Sequence, residues 1–220
     1  MAVREYIRSL NVPHTFIEIG WWIQIAFPYP PGPTNGGPLE STLNTIFGDG
    51  NQKNALTDMQ RIGDVVAHVL LDERTINQTV FFHEVEASQN EVWDVAQRVS
   101  GLGDLLLAKQ TRVINHVKAC APTANCDLIC QVPAEAMEVQ LADVIAKLEQ
   151  IPEKQQTFAD IMPRLLLEYL LALYIRGDNT LNNAKQLGKL DGGELYPDLK
   201  VTTLESYAAV FYNTLPKSVL

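Results

Sequence analysis

The stretch that most restricts the fold stands at the start of the chain. Val3, Tyr6, Ile7 and Leu10 recur at i, i+3, i+4 and i+7, which is one face of a helix. Asn11-Val12-Pro13 then turns the chain into His14-Thr15-Phe16-Ile17-Glu18-Ile19, a short β-branched and aromatic run closed by Gly20. Helix, tight turn and apolar strand together form an αβ unit, the building block of a parallel sheet. Such a strand needs parallel neighbours, because a buried backbone group without a partner is costly. No Ser, Thr, Asp or Asn precedes the helix to cap its first amides, so it reads as a helix entered partway along.

Further on, Pro28, Pro30, Pro31, Pro33 and Pro38 stand among Gly32, Gly36 and Gly37, which predicts a loop over 27–38. Gly48-Asp49-Gly50-Asn51 reads as a turn. Ile62, Val65, Val66, Val69 and Leu70 mark an amphipathic helix, and Thr79–Val85 a second apolar strand. Ser88-Gln-Asn-Glu91 spells a capping box ahead of Val92, Val95, Ala96 and Val99. Met137, Leu141, Val144, Ile145 and Leu148 sit at helical spacing, and Ile161–Ile175 is apolar enough for a buried helix. Thr202 with Glu205 opens a last helix through Phe211. Strands gather in the first half and helices in the second, so the chain is α/β, with a parallel-sheet part joined to a mostly helical part.

The charge balance narrows the function. With 17 Lys+Arg against 26 Asp+Glu the net charge is -9, scattered and without a basic stripe, which excludes a nucleic-acid backbone binder. The apolar runs around Ile17–Phe27 and Leu165–Ile175 are interrupted by Glu18, Gln24 or Glu168, and fall short of the ~20 residues that span a bilayer. No apolar leader follows Met1, and three cysteines without an export signal fit a reducing compartment, so the expectation is a cytoplasmic protein with no membrane association.

The usual signatures of chemistry fail one by one. Gly48-Asp49-Gly50 has Lys53 where a third glycine belongs, and Gly101-Leu102-Gly103 has Leu106, so no dinucleotide fingerprint is present. Tyr196 and Lys200 have the spacing of a hydride-transfer pair, but Pro197 pushes Tyr196 out of the helical region and favours a loop anchor. His116, Cys120, Cys126 and Cys130 match no common zinc spacing, so no metal is expected. His83-Glu84 lacks the second histidine of a zinc-protease motif, and His14 and His68 read as hydrogen-bonded core histidines. Gly20, Trp21 and Trp22 follow a parallel strand, where an open α/β sheet binds ligands. They either face a ring there or pack beneath the proline-rich loop, and the pattern leaves both open.

An ordered set of segments carries a resemblance. Val3-Arg-Glu-Tyr-Ile7 runs into Val12-Pro-His-Thr15, followed by Gly48-Asp-Gly-Asn51 and Arg61-Ile-Gly-Asp-Val-Val-Ala67. Then come Asp72-Glu-Arg-Thr-Ile-Asn77 leading into Val80-Phe81, Ser88-Gln-Asn-Glu-Val-Trp93, Ile175-Arg-Gly-Asp-Asn-Thr180 and Glu194-Leu-Tyr-Pro-Asp-Leu-Lys-Val-Thr-Thr203. In this order they resemble the NmrA-like, isoflavone-reductase-like branch of the atypical short-chain dehydrogenases, fungal type, over nearly the whole chain.

The resemblance implies an NADP-dependent oxidoreductase acting on a small-molecule substrate. By it, residues 1–86 are the remnant of a Rossmann domain, with the loop 27–56 reaching toward a mainly helical substrate domain at 87–220. The family's glycine fingerprint lies well before this segment. Its catalytic lysine precedes the Val3–Ile7 helix by a few residues, and no lysine occurs here before Lys53. The expectation is therefore an N-terminally truncated chain without catalytic residues of its own, inactive alone. Ile19, Gly20 and Trp21 are the carry-over for cofactor contact, and Trp22 and Phe27 for substrate. Two departures stand out: Arg61 replaces the acidic residue of the family's Asp-Ile-Gly, and Trp21-Trp22 replaces a smaller residue followed by Phe. The alternative is a non-catalytic NmrA-like regulator that senses a dinucleotide or binds a protein partner.

Overall fold

The computed structural model describes residues 2–29, 45–101, 130–132, 142, 145–146, 149–151 and 157–214. Helix α1 (Ala2–Ser9) feeds β1 (Phe16–Ile19) through Asn11, whose φ of 52° is a left-handed turn that Asn tolerates. After Gly20 come β2 (Trp21–Trp22) and a 3-10 turn, Ile23–Ile25. β3 (Thr45–Phe47) and β4 (Lys53–Thr57) flank the Gly48–Asn51 turn, where both glycines have positive φ. Then follow α2 (Ile62–Leu70), β5 (Thr79–Phe82), β6 (Val85–Ser88), α3 (Gln89–Ser100) and β7 (Cys130–Val132). α4 (Phe158–Leu171) runs on into a π-helical turn, Ala172–Arg176, that ends at left-handed Gly177. The remaining elements are α5 (Leu181–Gln186), β8 (Leu190–Asp191), α6 (Gly192–Leu195) and α7 (Leu204–Thr214).

The α/β expectation holds. One sheet has the order β1-β5-β8 and is wholly parallel, with Phe16 to Ile19 opposite Thr79 to Phe82 and Val80 opposite Leu190. A second has the order β2-β4-β6, with β4 parallel to β2 and antiparallel to β6, while β3 and β7 form a parallel pair. The two larger sheets meet at Gly20. Its amide donates to the Phe82 carbonyl at 3.0 Å and to the Thr57 hydroxyl at 3.1 Å, and that hydroxyl donates onward to Phe82 at 3.3 Å.

The main core lies between the second sheet and two helices. Ile23, Phe27, Leu56 and Ala87 pack with Val92, Trp93 and Ala96 of α3 and with Ala208, Phe211 and Tyr212 of α7. A smaller core under α2 joins Val65 and Val69 to Val80 and Phe82. The predicted capping box is formed, Ser88 and Glu91 each bonding the other's backbone amide.

Several expectations need correction. The run Thr79–Val85 is not one strand: it breaks at His83-Glu84, because the Glu84 amide turns to the Leu56 carbonyl at 2.9 Å and sends β6 into the other sheet. The last helix is capped by Thr203 rather than Thr202, since Thr203 and Ser206 exchange amide-to-hydroxyl bonds of 3.0 and 3.1 Å. The apolar helix is present, yet α4 buries Leu170 and Leu171 while Phe158, Met162, Leu165 and Leu166 are exposed. His68 is an exposed residue bonded to the Asp64 carbonyl, not a core histidine, and His14 bonds the Val12 carbonyl. Strand β8 adds to β5, so the first sheet takes one strand from late in the chain. The proline-rich stretch from Pro30, most of the Met137–Leu148 stripe, and His116, Cys120 and Cys126 lie outside the described residues. Among the described residues no helix is long and apolar enough to cross a membrane, and no group of three or more His, Cys, Asp or Glu could hold a metal ion.

Candidate functional site

In an open α/β sheet the ligand crevice lies beyond the carboxyl ends of the parallel strands. Here that edge is built from Ile19–Trp22, Thr57-Asp58, Phe82–Glu84 and Asp191. Gly20 is closed off at this point: a Cβ there would stand 2.6 Å from the Ala55 carbonyl oxygen, so β4, not a ligand, dictates the glycine. Ile19 is half-buried. Trp21 is half-buried, its indole N–H donating to the Ile25 carbonyl at 3.2 Å. Its ring lies 5.0 Å from that of Tyr169 on α4, tilted by 53°. Trp22 leaves β2 on the opposite face and is 45% exposed. The two tryptophans therefore do not make one wall.

Phe27 is placed apart from them. It is wholly buried, with the rings of Tyr207, Phe211 and Tyr212 at 5.6, 6.1 and 6.3 Å, and helps seat α7.

Sequence reasoning missed two things at this edge. The first is Tyr169, which no motif marks and which reaches Trp21 only through tertiary packing. The second is a network that ties the strand ends together. The Asp58 carboxylate accepts from Gln24 Nε2 at 2.6 Å, the Gln60 amide at 2.9 Å and the Thr202 hydroxyl at 3.3 Å. The Glu84 carboxylate accepts from the amides of Asp58 at 2.6 Å and Thr202 at 2.7 Å. All four carboxylate oxygens are thus engaged by neutral donors, which ties the strand ends to the Thr202 segment. An Asp just past a strand was the only available signal, as the cap of a turn.

Burial pushes the phenols up: Tyr169 above its ordinary value, and Tyr207 to about 12, with the Asp58 carboxylate adding to the effect. Tyr169 is therefore a neutral hydroxyl at physiological pH, a donor and not a base. Trp21 and Tyr169 offer an aromatic surface with a neutral polar tip, chemistry that suits an uncharged aromatic ring.

A second polar cluster follows β5. Lys185 pairs with Asp191 at 3.0 Å and Glu194 at 2.8 Å, and the Leu181 amide donates to Glu86 at 2.6 Å. His83 lies in their field and stacks on Phe81 at 5.8 Å. Burial lowers its pKa against the opposing pull of Glu86 and Asp191, and its Nδ1 is buried without a hydrogen-bond partner among the described residues.

The Tyr196/Lys200 pair does not assemble. The Tyr196 hydroxyl donates to Asp72 at 3.0 Å and its ring lies 5.6 Å from His68, while the Lys200 carbonyl accepts from Arg61. Tyr196 pins its loop to the end of α2.

A dinucleotide needs a glycine-rich turn that opens a helix with free amides. Gly48–Gly50 joins two strands instead. Gly192-Gly193 does open α6, but the Asp191 carboxylate already accepts from the amides of Gly193 and Glu194, and its charge repels an anion. Neither glycine pair thus offers free amides at the start of a helix.

No protein-family model matches the chain. Among curated proteins it is 30% identical over 212 residues to the asnovolin J 5',6'-dehydrogenase nvfM of Aspergillus novofumigatus, covering 94% of this chain and 56% of that protein. Among solved structures it superposes on the leucoanthocyanidin reductase–NADPH binary complex of Vitis vinifera with a TM-score of 0.60 at 16% identity, covering 97% of this chain and 57% of that one. A structure from work on pinoresinol-lariciresinol and phenylcoumaran benzylic ether reductases and their relationship to isoflavone reductases gives a TM-score of 0.62 at 19% identity, covering 96% and 55%. The fold is that of the NADPH-linked reductases. In sequence and fold the chain is similar to isoflavone-reductase-like proteins. It spans about half the length of the curated relatives it matches.

Proposed function

We propose that the chain is the substrate-side portion of an NADP-dependent, isoflavone-reductase-like oxidoreductase, and that it is inactive by itself. The observation that carries the reading is the contact of Trp21 with Tyr169 at the carboxyl end of the parallel strands, an aromatic surface where this fold binds ligands. On this reading residues 1–86 contribute the sheet and 87–220 most of the substrate side. Trp21 and Tyr169 hold a small aromatic substrate, and Trp22, on the opposite face of β2, takes no part in holding it. Phe27 acts from beneath, by fixing α7. Ile19 and Trp21 border the nicotinamide side of the cofactor, with Gly20 sealed against β4 between them, and hydride transfer needs the phosphate cradle and proton-donating lysine that the family resemblance implies.

Calorimetry with NADPH on the isolated chain is expected to show no binding at micromolar protein. A flavonoid-type ring compound is expected to quench the tryptophan fluorescence, and Trp21→Leu to remove most of the quench. Tight NADPH binding, or a quench indifferent to Trp21, would refute the reading.

A further inference from the structure

Asn54 is a polar side chain in an apolar place. It stands on β4 opposite Ala87 of β6, two residues before Leu56, and is 3% exposed. Its Oδ1 accepts from Asn179 Nδ2 at 3.4 Å, and that same nitrogen donates to the Ala55 carbonyl at 2.9 Å. Turning the Asn54 amide over would set two NH2 groups against each other, so Asn179 fixes which way it faces. Its Nδ2 is then buried without a hydrogen-bond partner among the described residues. A buried donor left unpaired costs free energy, and a valine or leucine would fill the place without that cost.

The fold sets this donor beside the aromatic surface. Side chains alternate along a strand, so Asn54 and Leu56 share one face of β4. Trp21 is the residue of β2 in register with Leu56, and it packs on the same core. With strands about 4.8 Å apart and a rise of about 3.3 Å per residue, Asn54 and Trp21 stand about 8 Å from each other. Tyr169, whose ring meets Trp21, lies in the last turn of α4, and the π-helical turn that continues α4 packs against β4. Such turns concentrate at functional sites. β4, β2 and the end of α4 thus bring an aromatic pair and an unpaired donor to one junction, while the Trp21 indole N–H is already bonded to Ile25.

We propose that Asn54 is the polar recognition point of this site, its Nδ2 donating to an acceptor atom carried by the ring system that lies against Trp21 and Tyr169. The assignment rests on the reading of that pair as the substrate surface. It narrows the ligand class to aromatic molecules with a carbonyl-type oxygen beside the ring that Trp21 holds. Asn54 is on this account a specificity residue and not a catalytic one.

The test is a tryptophan-fluorescence titration of the 220-residue chain with two probes, flavanone, which carries a ring carbonyl, and flavan, its counterpart without one. Flavanone is expected to bind about tenfold more tightly, because its carbonyl pairs the buried donor. Asn54→Leu, close in volume, should lower flavanone to the affinity of flavan and leave flavan unchanged. The urea midpoint of that variant should not fall, since an unpaired amide has been removed. Asn54→Val, a good strand former without polar side-chain atoms, should lose the preference in the same way. Equal binding of both probes to the unaltered chain, or a preference that survives either substitution, overturns the role of Asn54 and leaves the aromatic surface standing. A quench by neither probe overturns the aromatic surface, and the role of Asn54 with it.

Discussion

Gly20→Ala should be among the most damaging single-methyl changes in this chain. The added Cβ would sit 2.6 Å from the Ala55 carbonyl oxygen, 2.7 Å from its carbon and 3.0 Å from the Leu56 nitrogen, all backbone atoms of a buried strand. No side chain can swing aside, so relief requires β2 and β4 to separate by several tenths of an ångström. Overpacking of this kind costs about 1–3 kcal/mol. The same movement stretches the Gly20 bonds to Phe82 and Thr57, each worth about 0.5–1.5 kcal/mol. Together the loss is about 3 kcal/mol, a large share of a marginal total. Urea unfolding followed by tryptophan fluorescence measures it as a fall in midpoint at constant slope. Gly63→Ala in α2 is the matched control: nothing lies within 4 Å of its Cβ, so helix propensity should make it neutral to about 1 kcal/mol stabilising. If Gly20→Ala and Gly63→Ala shift the midpoint alike, the close approach of β4 is not what demands glycine at 20.

Two further outcomes follow from particular groups. Burial lowers the His83 pKa from 6.5 in the folded chain, so the unfolded chain takes up the proton first and stability should fall as pH drops below about 6.5. His83→Gln should flatten that part of the stability–pH curve, and an imidazole that titrates at or above 6.5 by NMR would contradict the burial argument. Ser88→Ala removes one half of the capping box on α3 and should cost about 1 kcal/mol in the same urea assay, with Glu91→Ala costing less, since Ser88 Oγ still caps the helix.

Much of the local structure was legible because its determinants are local. Gly48–Asn51 is a turn, Ser88 and Glu91 cap α3, and Tyr196 is a loop anchor, each for reasons contained within a few residues. The αβ reading of residues 3–19 rested on spacing alone and is present as α1 and β1. The break at His83-Glu84 was not legible. An apolar run carries no sign that its middle amide will turn to Leu56, 28 positions earlier. Tyr169 was equally hidden, because a tyrosine in an apolar helix differs from its neighbours only once Trp21 lies against it.

The sequence by itself determined the period of each element, its caps and turns, and the parallel character of the first sheet. It also determined the absence of a glycine fingerprint, because these depend on residues within one or two turns of each other. Tertiary structure alone decided which groups meet. It sealed Gly20 against Ala55, set Trp21 and Trp22 on opposite faces, buried Phe27, and turned the α1 stripe away from its own strand. Contacts between residues far apart in sequence depend on how whole elements pack, and no window of neighbouring residues contains that information.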